Sequence, residues 1–180
     1  MHGIIFAGLK KYVVANFGNE AWNGLLKEAG IGSKIYLATQ AYPDQEIAAL
    51  VTTASQKTGK PANALLEGFG EFIVADLVTI YRSMIDPSWR TLDLIENTEN
   101  TMHKAVRLRD KGATPPTLVV NRLSPTELVI NYSSPRRMCA VGKGIVRGIA
   151  RHYGEQVVVD EPTCMHRGGP SCTISVKLAG

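Results

Sequence analysis

Tyr132, Ser134 and Arg136 alternate along one short stretch, and His103 lies 29 residues before the first of them. In an extended segment alternate side chains point the same way, so a phenol, a hydroxyl and a guanidinium are expected on one face. They combine neutral hydrogen-bond donors with one fixed positive charge. Such a set suits paired carboxylates, because the planar arginine fork matches a carboxylate and the hydroxyls add donors beside it. His103 offers an imidazole nitrogen to a metal. A haem carries both needs at once: two propionates, and an iron that takes an axial ligand. Each residue also has a plainer reading. Tyr132 could fill core, Ser134 could open a turn before Pro135, and Arg136 could sit in a surface ion pair. His103 could be a core-edge histidine with one nitrogen satisfied by backbone.

A second group of reactive side chains lies near the C-terminus, where Cys164-Met165-His166 precedes Cys172 and Cys139 stands upstream. An odd cysteine count with no secretory leader argues against a disulfide framework. Three thiolates and one further ligand suit tetrahedral zinc. Reversibly oxidised thiols, or three plain buried cysteines, fit the same residues.

The elements that must position these groups are legible from periodicity. Ile4, Ile5, Leu9, Tyr12 and Val13 recur at helical spacing up to a stop at Gly18. Asn19 is placed to cap a second helix carrying Trp22, Leu25 and Leu26, ended by Gly30. Pro43-Asp44 opens a third that closes near Gly59, and Pro61 starts a long fourth containing Leu65, Phe69, Ile73, Leu77 and Ile80. Leu92 to Arg109 reads as one helix, with His103 on the stripe of Leu92, Ile95, Glu99, Met102 and Val106. Then the texture changes. β-branched runs at 117–121 and 127–133, with Ser124-Pro125 between them, predict a hairpin. A glycine-containing helix is expected at about 138–153, and two closing strands at 156–159 and 171–178. Helices followed by a mostly antiparallel sheet with a packed helix make an α+β fold. No repeat, low-complexity tract or long linker divides the chain.

These residues, in this order, resemble the haem nitric oxide/oxygen binding (H-NOX) family, the gas-sensing domain related to soluble guanylate cyclase. The resemblance runs from Met1-His2-Gly3-Ile4-Ile5 through Gly18-Asn19-Glu20-Ala21-Trp22 and Leu65 to Gly70. It continues through the His103 helix, Thr114-Pro115-Pro116 and Tyr132 to Arg136. It implies one haem-binding sensor domain over 1–180, with a distal helical part over 1–60, a proximal part over 61–180, and haem b buried between them. His103 is then the axial iron ligand, Tyr132, Ser134 and Arg136 clasp the propionates, and Pro116 presses on the macrocycle. The distal wall maps to Ile5, Leu9, Ile73, Val74, Leu77, Val141 and Ile145. All are apolar, whereas oxygen-holding relatives place a tyrosine near Val141. A selective nitric oxide sensor follows as the expectation, with carbon monoxide as a probe ligand. Nitric oxide is expected to loosen the iron from His103 and let the macrocycle relax off Pro116. The implied partner is a separate sensor histidine kinase or a cyclic-di-GMP enzyme. In a subset of the family three cysteines and a histidine hold zinc. The histidine lies three residues before the middle cysteine, and here that position is Glu161, so Glu161 or His166 is the expected fourth ligand. The alternative function is a haem-, redox- or zinc-dependent thiol sensor of oxidative stress built on Cys139, Cys164 and Cys172.

Composition narrows the field further. At 180 residues, 44% hydrophobic and 20% charged, the chain suits one ordinary domain with a substantial core. The net charge of +4 is spread along the sequence; its densest spots, Arg107-Leu108-Arg109 and Arg136-Arg137, lack the aromatic interleaving of a nucleic-acid surface. No apolar run reaches bilayer length and no leader peptide is apparent, so a cytoplasmic protein is expected. Haem peroxidase chemistry would need a distal acid–base pair. No such pair maps to the wall, so an enzyme is not expected.

Overall fold

Residues 1–110 and 112–179 are described by a computed structural model. Four helices come first: α1 (Gly3–Phe17), α2 (Asn19–Glu28), α3 (Asp44–Thr58) and α4 (Ala62–Ile80). Their ends follow local chemistry. Gly18, with φ 84°, lets the chain turn between α1 and α2, and Gly59, with φ 67°, closes α3 in the left-handed conformation. Pro61 precedes α4, where a missing amide hydrogen costs nothing.

The helix expected over 92–109 is interrupted. It divides into α5 (Thr91–Asn97), a π-helical turn over Glu99–His103, and α6 (Lys104–Arg109). His103 N–H reaches back five residues to the Thr98 carbonyl at 3.1 Å. One extra residue is thereby inserted into the helical stripe at the histidine itself. Such insertions disturb hydrogen bonding locally and recur at functional sites. Periodicity cannot show this, because the flanking residues keep an ordinary helical pattern on either side.

The sheet forms from β1 (Thr117–Ser124), β2 (Glu127–Ser133), β3 (Val157–Thr163) and β4 (Cys172–Leu178), all antiparallel, in the order β1-β2-β4-β3. The β1–β2 hairpin pairs Thr117 with Ser133 and Leu118 with Tyr132. Alternation puts Leu128, Ile130 and Tyr132 of β2 inward beside Cys172, Ile174 and Val176 of β4. Helix α7 (Cys139–His152) packs between this sheet and α4. The α+β arrangement expected from the sequence is the one observed.

The buried side chains fall into two clusters. One joins Phe6, Trp22, Leu50 and Phe69 of the N-terminal helices. The other joins Leu92 and Ile95 to Leu128, Ile130, Ile174 and Val176 of the sheet. Burying each such side chain contributes roughly 1.5–3 kcal/mol. Helix α4 serves both, since Phe69 and Ile73 belong to the first and Val74 to the second. Ile145 of α7 touches both clusters.

Helices α4 and α7 meet backbone to backbone. A Cβ on Gly144 would fall 2.0 Å from the Glu67 carbonyl oxygen, and one on Gly70 would fall 2.3 Å from that of Val141. Only glycine permits this approach. Glu67 then holds Lys143 at 2.9 Å and Arg147 at 2.5 Å across the crossing. Among the described residues no helix is long and apolar enough to cross a membrane.

Candidate functional site

His103 lies in the π-helical turn with its side chain 17% exposed. Its Nδ1 stands 2.9 Å from Glu99 Oε2. The same carboxylate oxygen accepts the backbone N–H of Leu118 on β1 at 3.1 Å, and Oε1 accepts Arg107 Nη1 at 2.6 Å. Arg107 also donates to the Pro116 carbonyl at 3.2 Å. Burial alone would raise the Glu99 carboxyl, but the hydrogen bonds from Arg107, His103 and Leu118 outweigh it and hold the group below its ordinary value. Burial pushes His103 down despite the neighbouring carboxylate. A neutral imidazole donating through Nδ1 presents its lone pair at Nε2, which is how a histidine meets a metal.

The Tyr-Ser-Arg stretch departs from the expected strand. Only Tyr132 lies in β2, which ends at Ser133. Ser134 and Arg136 occupy a turn in which Arg137 N–H reaches the Ser134 carbonyl at 3.1 Å. Ser134 Oγ accepts Arg136 N–H at 3.3 Å. Pro135 brings no amide hydrogen to a ladder, and a serine hydroxyl competes for the next one, so the strand stops. Arg137 then takes a φ of 52°. Tyr132 is 4% and Ser134 6% exposed. Burial pushes the Tyr132 phenol up to about 12, with the Ser134 side chain beside it.

Arg136 already grips a carboxylate. Its Nε donates to Asp44 Oδ2 at 2.9 Å, and its Nη1 and Nη2 reach the Thr114 carbonyl and hydroxyl at 2.5 and 2.7 Å. The Met1 amino group meets Asp44 Oδ1 at 2.5 Å. One guanidinium thus ties the start of α3 to the loop before β1. No spacing rule could have found Asp44, which lies 92 residues from Arg136.

The expected wall residues lie on α1, α4 and α7. Leu9, Ile73 and Val74 are buried. Ile5, Leu77, Val141 and Ile145 are only partly buried and pack against the N-terminal cluster. Leu77 and Ile73 also line a cavity of about 290 Å³ with Ile4, Gly8, Lys11 and Asp76. Three tyrosines lie on or beside α1 and α4, two of them, Tyr12 and Tyr36, in the same N-terminal cluster. Tyr36 stacks on Phe6 with ring centroids 4.2 Å apart and donates to Glu46 at 2.6 Å. Tyr12 packs edge-on to Phe72 with its hydroxyl against Gly68. Tyr81 joins the sheet-side cluster, with Arg109 nearby. Pro116 stands just before β1, half-buried, with its carbonyl held by Arg107.

The three cysteines, scattered in sequence, converge. Cys139 Sγ and Cys172 Sγ each lie 3.7 Å from Cys164 Sγ, and all three thiols are buried. Glu161 completes the group: one ligand atom from each of the four residues lies within 4.8 Å of the others. Glu161 Oε1 is buried without a hydrogen-bond partner among the described residues. Its Oε2 pairs with Lys143 at 3.2 Å. His166 points elsewhere, its Nε2 2.7 Å from the Arg137 carbonyl. Burial, then the neighbouring carboxylate, raises the Cys139 thiol far above its ordinary range.

Glu99 and Arg107, which bond to His103 and Pro116 respectively, were not among the site residues expected from the sequence. Their signal was present: Glu99, His103 and Arg107 recur at four-residue spacing, where helical neighbours touch. Asp44, Thr114 and the Leu118 amide gave no such signal.

Comparison with known proteins agrees across the whole chain. Residues 2–161 match the family model described as Haem-NO-binding. The crystal structure of an H-NOX protein from S. oneidensis in the Fe(II)NO ligation state superposes with a TM-score of 0.93 at 27% identity, covering all of both chains. The NMR structure of an H-NOX domain from Shewanella oneidensis in the Fe(II)CO state gives 0.89 at 27% identity, covering 100% of this chain and 99% of that one. The Fe(II) unliganded H-NOX protein from K. algicida, at 21% identity and a TM-score of 0.85, covers 100% and 97% and shares the fold. No curated protein matches by sequence.

Proposed function

The chain belongs to the Haem-NO-binding (H-NOX) family of haem-based gas sensors, and from that premise we propose that it is a nitric oxide sensor with little or no affinity for oxygen. The residues present fit a haem. His103 Nδ1 stands beside the Glu99 carboxylate, and donating there would leave Nε2 to offer its lone pair to a metal. Arg136 already holds a carboxylate through a charge-assisted bond, as it would a propionate. Bound there, the group supplies a ferrous iron able to take a diatomic gas. The chain's own residues do the rest. His103 anchors the metal from the proximal side beside Pro116. Tyr132, Ser134 and Arg136 orient the acid arms. Ile5, Leu9, Ile73, Val74, Leu77, Val141 and Ile145 keep water out of the distal side and offer a gas no hydrogen bond.

The observation that supports the selectivity is that the seven proposed wall side chains are all hydrocarbon, while Tyr36 donates its hydroxyl to Glu46 and Tyr81 packs in the sheet-side cluster. Bound dioxygen carries partial negative charge and loses about 1 kcal/mol or more without a donor. Nitric oxide depends far less on one. Absorption spectra of the haemin-supplied, reduced protein under nitric oxide, carbon monoxide and oxygen test this. Spectral change with the first two and none with oxygen is expected. A stable oxygen complex, or a protein that stays colourless, overturns it. We read the chain as one cytoplasmic sensor domain with a distal part over 1–60 and a proximal part over 61–180. It is without catalysis of its own and passes its signal to a separate histidine kinase or cyclic-di-GMP enzyme.

A second reading concerns the thiols. Tetrahedral zinc with Zn–S near 2.3 Å places its sulfurs about 3.8 Å apart. The Cys164 sulfur stands 3.7 Å from each of the other two. The unpartnered Glu161 oxygen would make a fourth ligand in place of the family's histidine. Oxidation of these thiols, releasing the metal, would give the domain an oxidative-stress input. Metal analysis of the purified protein should find one zinc per chain, lost on peroxide treatment. Stoichiometric free thiols without metal would remove this reading.

A further inference from the structure

The π-helical turn and the Glu99 carboxylate occur together, and neither is needed to fold a helix. The three hydrogen bonds that Glu99 accepts all come from His103 and its surroundings. Oε2 takes His103 Nδ1 at 2.9 Å and the Leu118 N–H at 3.1 Å, and Oε1 takes Arg107 at 2.6 Å. Arg107 closes the loop on the Pro116 carbonyl at 3.2 Å. The imidazole, the helix that carries it and the first residues of β1 are therefore held by one carboxylate. Glu99 is 20% and His103 17% exposed, so water weakens the bond between them little, while Arg107, at 37%, is more open to solvent.

A carboxylate accepting from Nδ1 draws that proton toward itself and loads electron density onto Nε2, which strengthens the bond Nε2 makes to a metal. A cation on the same carboxylate opposes this by drawing charge away. Arg107 sits on the opposite oxygen of Glu99, where it has that effect. The bond strength at Nε2 is thus set by a competition between two neighbours at four-residue steps on either side of the histidine.

We infer that Glu99 is a positioning residue for His103, that Arg107 counterbalances it, and that through the Leu118 amide and the Pro116 carbonyl the pair ties the strength of the proximal bond to the placement of β1. This rests on the reading of His103 as the iron ligand. The tie works in both directions: whatever loosens His103 from its metal changes the hold of Glu99 on β1, and a displaced β1 changes His103. The hairpin of β1 and β2, whose outer face exposes Val119 and Leu123, then carries the change to the surface.

Two measurements separate this from a merely structural role. In the ferrous haem-loaded protein, resonance Raman reports the iron–histidine stretch. Glu99→Gln should lower its frequency and Arg107→Met should raise it, while packing alone predicts no opposed pair of shifts. In the haem-free protein, hydrogen exchange at the Leu118 amide should quicken about tenfold in Glu99→Ala, the worth of one charge-assisted bond. Glu99→Gln, which keeps an acceptor, should fall between. Unchanged frequencies in both variants, or unchanged exchange at Leu118, overturn the inference. A protein that never takes up haem would sink the sensor reading instead, and the exchange experiment would still decide whether Glu99 holds β1.

Discussion

Two regions of one molecule, the histidine side and the wall proposed to face it, are built by opposite means. Around His103 a network of directional polar contacts gathers, with a carboxylate, a guanidinium, a backbone amide and a carbonyl each paired within 3.2 Å. The seven proposed wall side chains on α1, α4 and α7 are all hydrocarbon, and glycines bring α4 and α7 into backbone contact. Under the proposed function the difference teaches that the two sides solve different problems. Holding a metal requires a fixed tautomer and a fixed orientation, which only hydrogen bonds supply. Discriminating between gases requires withholding a hydrogen bond, and a methyl-lined surface does that at no cost in desolvation.

The sharpest way to break this comparison is His103→Ala. If the polar side is what retains haem, the variant should lose most of its Soret absorbance on gel filtration after haemin is supplied. Retention of the full band would leave Glu99 and Arg107 with nothing to position. Next in size is Gly144→Ala on the other side. The added methyl meets the Glu67 carbonyl, so the helices must part, and denaturant unfolding should show a loss of about 1–3 kcal/mol. A variant as stable as the parent would mean that the helices do not depend on this crossing. Smaller again is Val141→Tyr, which puts one donor into the hydrocarbon. An oxygen complex should become detectable where the parent shows none, the gain of a donor being worth about 1 kcal/mol or more, with nitric oxide binding little changed. Equal effects on both gases would end the argument from the missing donor.

The smallest effect is a pH dependence at the same crossing. Burial would raise the Glu67 carboxyl, but hydrogen bonds from Lys143 and Arg147 outweigh it and hold the group below its ordinary value. A carboxylate with a depressed folded-state value contributes its stability above the unfolded value and loses it as pH falls through the folded one. The stability gap between parent and Glu67→Gln, about 1 kcal/mol or less for a partly exposed pair, should be complete at pH 7. It should shrink below about pH 4.3. A gap that persists at pH 2, or one that widens on acidification, would show that the pairs are not what Glu67 contributes.

The elements themselves were legible in the amino-acid order because each is written in local chemistry. Gly18, Gly59 and Pro61 mark helix boundaries by conformational limits that act within one or two residues. Alternation of Leu128, Ile130 and Tyr132 gives a strand with one buried face, wherever its partners lie. Residue types suited to haem and to zinc could be named for the same reason, since donor chemistry belongs to the side chain. What the tertiary structure alone decided is where those donors point and what holds them. The π-helical turn at His103, the bond of Arg136 to Asp44, the choice of Glu161 over His166 beside the thiols, and the Leu118 amide under Glu99 all join residues far apart or shift the register between near ones. Such pairings depend on how helices and sheet settle against each other. That free energy is a sum over the whole core, and no short stretch of sequence contains it.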